Sequence, residues 1–239
     1  MEREKIYNNI DEVLNGIPEN YKIMEEIIDL EVQKDYFEST KELVIDVNAD
    51  RLEDLIDQLH QDETLAADRK ILLMKLGMID AVEAFRAIER YNQNPHQELK
   101  DWALLALQQS RMVIQSSLMD EQQVFISTGL GGKDNKLRYY LIFPYNEKGK
   151  LTLLQSDALL SELKFFMERN NGIMEELEIQ NEYASAMVLL PIKAPVLEII
   201  KEVLAECNQL GNYLANDALI TNMKKFSHQE IMEFIQQNE

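Results

Sequence analysis

Apolar residues recur every three to four positions through most of the first half of the chain, a period that predicts helices. Ile6, Ile10, Val13, Leu14 and Ile17 form a first stripe, with Gly16 near its end and Pro18 beyond it as stop signals. Tyr21, Met24, Ile27 and Ile28 continue the period, followed by Tyr36, Thr40, Leu43 and Val44, and then by Leu52, Leu55, Ile56 and Leu59. Asp62 is placed to cap a helix that runs to Leu76 and stops at Gly77. Asp80 and Glu83 have capping-box spacing for a helix reaching Tyr91, and Asn94-Pro95 reads as the cap and first position of one reaching Leu118. Short connections between such helices predict antiparallel neighbours.

The pattern changes near Glu121. "VFIST", "LRYYLIFP" and "KLTLL" are rich in β-branched and aromatic residues and read as strands, separated by "GLGGKDNK" and "YNEKGK". A helix follows with Leu159, Leu160, Leu163, Phe166 and Met167 on one side, then strands "ELEIQ" and "AMVLLPI". Pro195 opens a helix striped by Val196, Ile200, Val203, Leu204 and Cys207, and "ALITN" is the last strand. Ser227 and Glu230 form a capping box for a final helix, with Phe226 and Ile231 at the staple positions. The expected fold is α+β. An antiparallel helical bundle or short α-solenoid spans residues 1–120, and a mixed, mostly antiparallel sheet with packed helices spans 121–239. "YLIFP" and "MVLLP" each precede a helix, which suggests a hairpin-then-helix unit used twice. Both strands are apolar on both faces, so both faces need cover. The local helices can supply one side, and the N-terminal helices or a second copy of the chain the other.

The stretch "LKDWALLAL" resembles the second helix of HEAT-type repeats through Leu99, Lys100, Ala103, Ala106 and Leu107. The upstream "DRKILLMKLG" keeps Arg69 but has Leu72 and Lys75 where alanines are expected. The resemblance covers residues 63–118 and implies a helical-repeat scaffold that serves as a binding surface.

Charge sharpens this picture. The formal net charge of the chain is −19, and 26 of its 43 acidic residues precede residue 121. So acidic a surface repels phosphate backbones, which argues against nucleic-acid binding and favours a basic protein partner. A second copy of the chain is the other expected partner. No apolar run is long enough to span a membrane. A lone Cys207 and a charged start point to a reducing compartment, the cytoplasm.

Three constellations could carry chemistry. Gly129, Gly131, Gly132 and Lys133 imitate a phosphate loop, but Asp134 stands where Ser or Thr is needed and a strand follows instead of a helix. A hairpin turn is expected; the alternative is a mobile loop that meets a partner, since glycine-rich tips are flexible and exposed. Lys133, Lys136, Arg138, Lys148 and Lys150 outnumber Asp134 and Glu147 there, as edge protection or a docking patch for an acidic surface. Asp46, Asn48, Asp50, Asp54 and Asp57 imitate calcium-loop spacing, but Arg51 occupies the glycine position. The expected reading is a helix whose Asp50, Glu53, Asp54 and Asp57 form one acidic stripe, facing solvent or a basic partner. No catalytic residue, metal site or cofactor is expected. The three histidines lie near helix ends, and Cys207 lies in an apolar stripe. A non-enzymatic interaction or adaptor protein is the first expectation. A regulatory module holding a small molecule between sheet and helices is the alternative.

Overall fold

Asp29 decides where the first described helix begins, because its carboxylate accepts the Glu31 amide at 2.8 Å. The computed structural model describes residues 21–44, 51–119, 124–146 and 149–237. The predicted helix over Ile6 to Ile17 and the Asp46 to Asp50 part of the acidic segment lie outside these residues. The described chain divides into a helical unit, residues 21–22 with Ile28–Phe125, and a sheet unit made of Ile23–Ile27 and the chain from Ile126 onward.

The helical unit contains α1 (Leu30–Glu42), α2 (Leu52–His60), α3 (Ala66–Met78), α4 (Val82–Gln93) and α5 (Lys100–Met119). In α2–α3 and α4–α5 each helix packs on its sequence neighbour. These two helical hairpins then stack like on like, with α2 beside α4 and α3 beside α5, and α1 also packs on α5. Trp102, Ala103, Leu105 and Ala106 of α5 are buried against them.

Several local expectations fail here for identifiable reasons. Residues 21–28 are not helical: β1 (Lys22–Ile23) pairs with β2 (Phe125–Ile126), and Lys22 donates to the Val124 carbonyl at 2.9 Å. Tyr21, Met24, Ile27 and Ile28 had helical spacing, but backbone pairing to a distant segment outweighed it. Asp62 does not cap α3, whose N-cap is Leu65 with no side-chain bond. Gly77 does not end that helix. It lies inside α3, where a Cβ would come within 3.2 Å of the Ala106 carbonyl oxygen, so its smallness lets α3 approach α5. The Asp80–Glu83 capping box is absent, since α4 starts after Ala81. Asn94 closes α4 instead of opening α5, and a single 3₁₀ turn, Gln97–Leu99, precedes Lys100.

The sheet unit begins with β3 (Gly132–Lys133) and β4 (Lys136–Pro144). Lys133 pairs with Lys136, leaving Asp134 and Asn135 as a two-residue turn with φ of 50° and 58°. Positive φ at both central positions defines the type I′ turn that suits strand twist. After β4 come α6 (Leu153–Arg169), β5 (Ile173–Ile179), β6 (Tyr183–Pro191), α7 (Val196–Asn208), β7 (Leu219–Thr221) and α8 (His228–Gln237). The predicted strand at "KLTLL" is instead the start of α6, where Thr152 and Gln155 close a reciprocal capping box.

Strands β7, β4, β6 and β5 lie side by side in that order, every pair antiparallel. With α6 after β4 and α7 after β6, this is the β-α-β-β-α-β order of ferredoxin-like folds. The register of the two central strands has a two-fold relation. Aligning "YLIFP" with "MVLLP" matches Tyr140 to Met187, and these two are themselves register partners. A local two-fold axis between them predicts the outer pairings. Gly132 pairs with Leu137 as Ile179 pairs with Ala184; on the other edges Leu219 pairs with Ile142, while Ile173 in place of Gly172 pairs with Leu189, a one-residue shift beside the bulge between Met174 and Glu176.

One face of the sheet presents Leu141, Phe143, Ala184, Ala186, Val188 and Leu190 to the apolar sides of α6 and α7. On the other face, Tyr140, Ile142, Tyr183 and Met187 gather with Leu130 and with Ile231 of α8. The second face therefore receives the chain's own last described helix, where the sequence suggested N-terminal helices or a second copy. α8 is anchored by the predicted box: Ser227 N–H and Oγ–H donate to Glu230 at 2.8 and 2.9 Å, and Lys224 pairs with the same carboxylate.

That anchor has a testable pH signature. The Lys224 ammonium first, then the Ser227 amide and hydroxyl, pull the Glu230 carboxyl from its ordinary 4.5 to about 2. A folded-state pKa below the unfolded one contributes stability that is complete above the unfolded value and lost as pH falls through the folded one. The stability difference between the native chain and Glu230→Gln should therefore be constant near neutrality and shrink from 4.5 downward to about 2. Urea midpoints of both proteins across that range check this, and a pH-independent difference would refute it.

Candidate functional site

α2 and α3 are joined by the short segment Gln61–Leu65, and the C-terminal carbonyls of α2 need partners. Arg69 supplies them from the first turns of α3. Its guanidinium donates to the carbonyl oxygens of Leu59, Gln61, Asp62 and Thr64, and the residue is 5% exposed. This clamp fixes the two helices with a groove of about 650 Å³ along them. Asp54, Leu55 and Gln58 line it from α2, and Leu65, Asp68 and Ile71 line it from the α3 side. Leu65 is 68% exposed and Ile71 42% exposed, so the groove offers apolar surface to solvent. Three carboxylates, Asp54, Glu63 and Asp68, stand among its lining residues, with Lys75 as the one lining cation. Arg51 only grazes Asp54 at 4.0 Å, with both side chains more than half exposed, a geometry that offsets little of the negative potential.

Of the predicted acidic stripe, Asp50 lies outside the described residues. Glu53, Asp54 and Asp57 are exposed on α2, and Asp54 alone of the three lines the groove. The helix thus brings one predicted residue to the site together with residues that sequence reasoning passed over: Leu65, Asp68 and Ile71. Their signal was present as an apolar-acidic-apolar series at helical spacing. Arg69 had been noted only as a repeat-like basic position.

The glycine segment is elsewhere, in the sheet unit, and its glycines are not an exposed tip. Gly129, Gly131 and Gly132 are buried. A Cβ on Gly131 would lie 2.4 Å from the Glu26 carbonyl oxygen, and one on Gly132 would lie 2.2 Å from that of Lys136. The glycines are needed because other backbone passes through the space a side chain would fill. Lys133 is exposed and Lys136 half-exposed beside the turn. Arg138 is engaged with Glu175 at 2.6 and 3.2 Å and with the Leu130 carbonyl at 2.7 Å, so it braces the sheet unit internally.

The remaining reactive side chains have internal partners. Burial pushes the Cys207 thiol up, away from the thiolate form. His96 meets the Tyr91 hydroxyl at 2.9 Å, and His228 meets that of Tyr183 at 3.1 Å. His60 is held below its ordinary value, by desolvation first and the Arg90 charge second. Among the described residues, no three His, Cys, Asp or Glu side chains are gathered as a metal site, and no helix is long and apolar enough to cross a membrane.

No protein-family model matches this chain, and no curated protein does. Among solved structures, a crystal structure of a Deinococcus radiodurans R1 protein provisionally named a transposase is similar at a TM-score of 0.38 and 16% identity, over 44% of this chain and 92% of that one. A likeness at that level carries no inference about this chain.

Proposed function

We propose that this protein is a non-enzymatic interaction or adaptor module of the cytoplasm that binds a basic protein through its acidic helical surface. The observation that carries the reading is the groove between α2 and α3, where solvent-exposed Leu65 and Ile71 lie among Asp54, Glu63 and Asp68. Apolar surface supplies affinity and the carboxylates supply selection by charge. The like-on-like stacking of two helical hairpins supports reading the helical unit as a short, HEAT-like solenoid, a scaffold type suited to binding. A small molecule held between sheet and helices is the weaker reading, because Leu141, Phe143, Leu159, Leu163, Val188 and Val203 already fill that layer, each at 0% exposure.

Affinity purification of the chain from its native cell tests this. A basic protein should co-purify and elute as salt rises, since rim charges are screened within about 10 Å at 0.1 M salt. Retention indifferent to salt, or a metabolite that raises the melting temperature while no protein is retained, would displace the adaptor reading in favour of the ligand-responsive one.

A further inference from the structure

The groove opens to solvent at Leu65 and Ile71. Lys70 and Gly77 mark the side of α3 that faces α5. The Lys70 carbonyl accepts from Trp102 Nε1 at 3.1 Å, the Lys70 ammonium sits 4.2 Å over the Trp102 ring, and Gly77 opens onto the Ala106 carbonyl. Leu65, Asp68, Ile71 and Lys75 recur at three- to four-residue spacing and fall about half a turn around the helix from those contacts. α2 meets α4 and α3 meets α5 on the inner side of the stack. The groove is thus the outer face of the first described hairpin, where the next hairpin of a longer stack would pack.

We propose that this face takes a basic amphipathic helix of a partner protein, laid lengthwise along α3 in the place of a further stacked helix. The proposal rests on the interaction-module reading and specifies its partner. Three features select the occupant. From Leu65 to Lys75 the stripe runs about 15 Å, or three turns of a facing helix. Asp68 stands between Leu65 and Ile71 on the stripe, and Asp54 and Glu63 line the same groove beside it, which matches a helix carrying leucine-like residues at three- to four-residue spacing flanked by lysine or arginine. A second copy of this chain, with net charge −19, would set carboxylate against carboxylate and is disfavoured.

The test uses the full chain and two fluorescein-labelled peptides of about 15 residues, identical in Lys, Leu and Ala content. In one peptide the leucines form a single helical stripe. In the other they are scrambled so that no stripe forms. Fluorescence anisotropy should show saturable binding of the striped peptide at least about tenfold tighter than the scrambled one. Ile71→Asp and Leu65→Asp should each weaken it by about tenfold or more, and Asp68→Lys should weaken both peptides. Both apolar positions are exposed, so circular dichroism and melting of the variants should match the native chain. Equal binding of the two peptides, or binding insensitive to Ile71→Asp and Leu65→Asp, overturns helix docking while leaving the acidic-surface reading intact. No binding of either peptide, with no basic protein retained from the native cell, overturns both.

Discussion

Replacing Gly129 with alanine should destabilise the sheet unit by about 3 kcal/mol or more, among the larger effects a single methyl can have. A Cβ there would stand 1.6 Å from the Met223 carbonyl oxygen and 2.7 Å from its carbon, distances no side-chain rotation relieves. The segment around Met223 would have to move. That breaks the hydrogen bond the Leu130 N–H donates to the Asn222 carbonyl, now 3.1 Å, and pulls on the lead into α8. The damage should spread to Ile231 and the apolar cluster of Tyr140, Ile142 and Met187 beneath that helix. Gly211→Ala is the control. Its φ is +122° with nothing within 4 Å of the added carbon, so only backbone strain of about 1–2 kcal/mol is expected. Urea denaturation followed by circular dichroism measures both. If Gly129→Ala unfolds no earlier than Gly211→Ala, the close packing of the glycine segment is not a feature of the folded protein.

That prediction could not have come from the sequence. Gly129, Gly131 and Gly132 read as the turn of a hairpin, and a hairpin is there with its turn at Asp134 and Asn135, because turn chemistry is local and these two tolerate the positive φ a type I′ turn demands. What buries the glycines is not local. Residues 25–26 and 223 supply the carbonyls that crowd Gly131 and Gly129, from opposite ends of the chain, and the Ile23 side chain joins the hairpin's own Lys136 carbonyl against Gly132. The same division explains the capping motifs. Ser227–Glu230 was legible and is present, with its staple residues Phe226 and Ile231 sharing one cluster. Asp80–Glu83 has the same spacing and forms no box, because the chain enters α4 one residue later than that spacing assumes. Spacing shows that a cap can form; the path of the chain decides whether it does.

The candidate groove was half legible for a related reason. Its residues lie within 54–75, and the apolar character of Leu65 and Ile71 and the acidity of Asp54, Glu63 and Asp68 are plain in the sequence. Which side of α3 is left open depends on where α5 packs, and α5 begins at Lys100. The acidic stripe at Glu53, Asp54 and Asp57 was visible because it needs only one helix. The pairing of Asp54 with Leu65, Asp68 and Ile71 needed the angle between two. The two-fold register of the sheet was half legible in the same way. The weak likeness between "YLIFP" and "MVLLP" suggested a repeated unit but not that the two segments pair, and β4 and β6 place Tyr140 opposite Met187.

Arg69→Ala should cost the helical unit about 2–4 kcal/mol, and Arg69→Lys should recover little of it. At 5% exposure the guanidinium reaches four carbonyls that close α2 and its connection to α3. Truncation leaves those acceptors without donors and opens a cavity beneath them. Lysine brings one compact ammonium where a planar fork is required. The readout is unusually clean. Trp102 is the chain's one tryptophan, it is 4% exposed, and its ring packs against Lys70, the residue after Arg69. Its fluorescence should report loss of the α2–α3 clamp directly, with the urea midpoint falling in Arg69→Ala and nearly as far in Arg69→Lys. The same variants should weaken any ligand of the groove, whose two walls that clamp holds together. If Arg69→Ala keeps the native Trp102 midpoint, water can satisfy the α2 carbonyls as well as the guanidinium does, and the groove is held by apolar packing of Leu55, Leu59 and Leu72 alone.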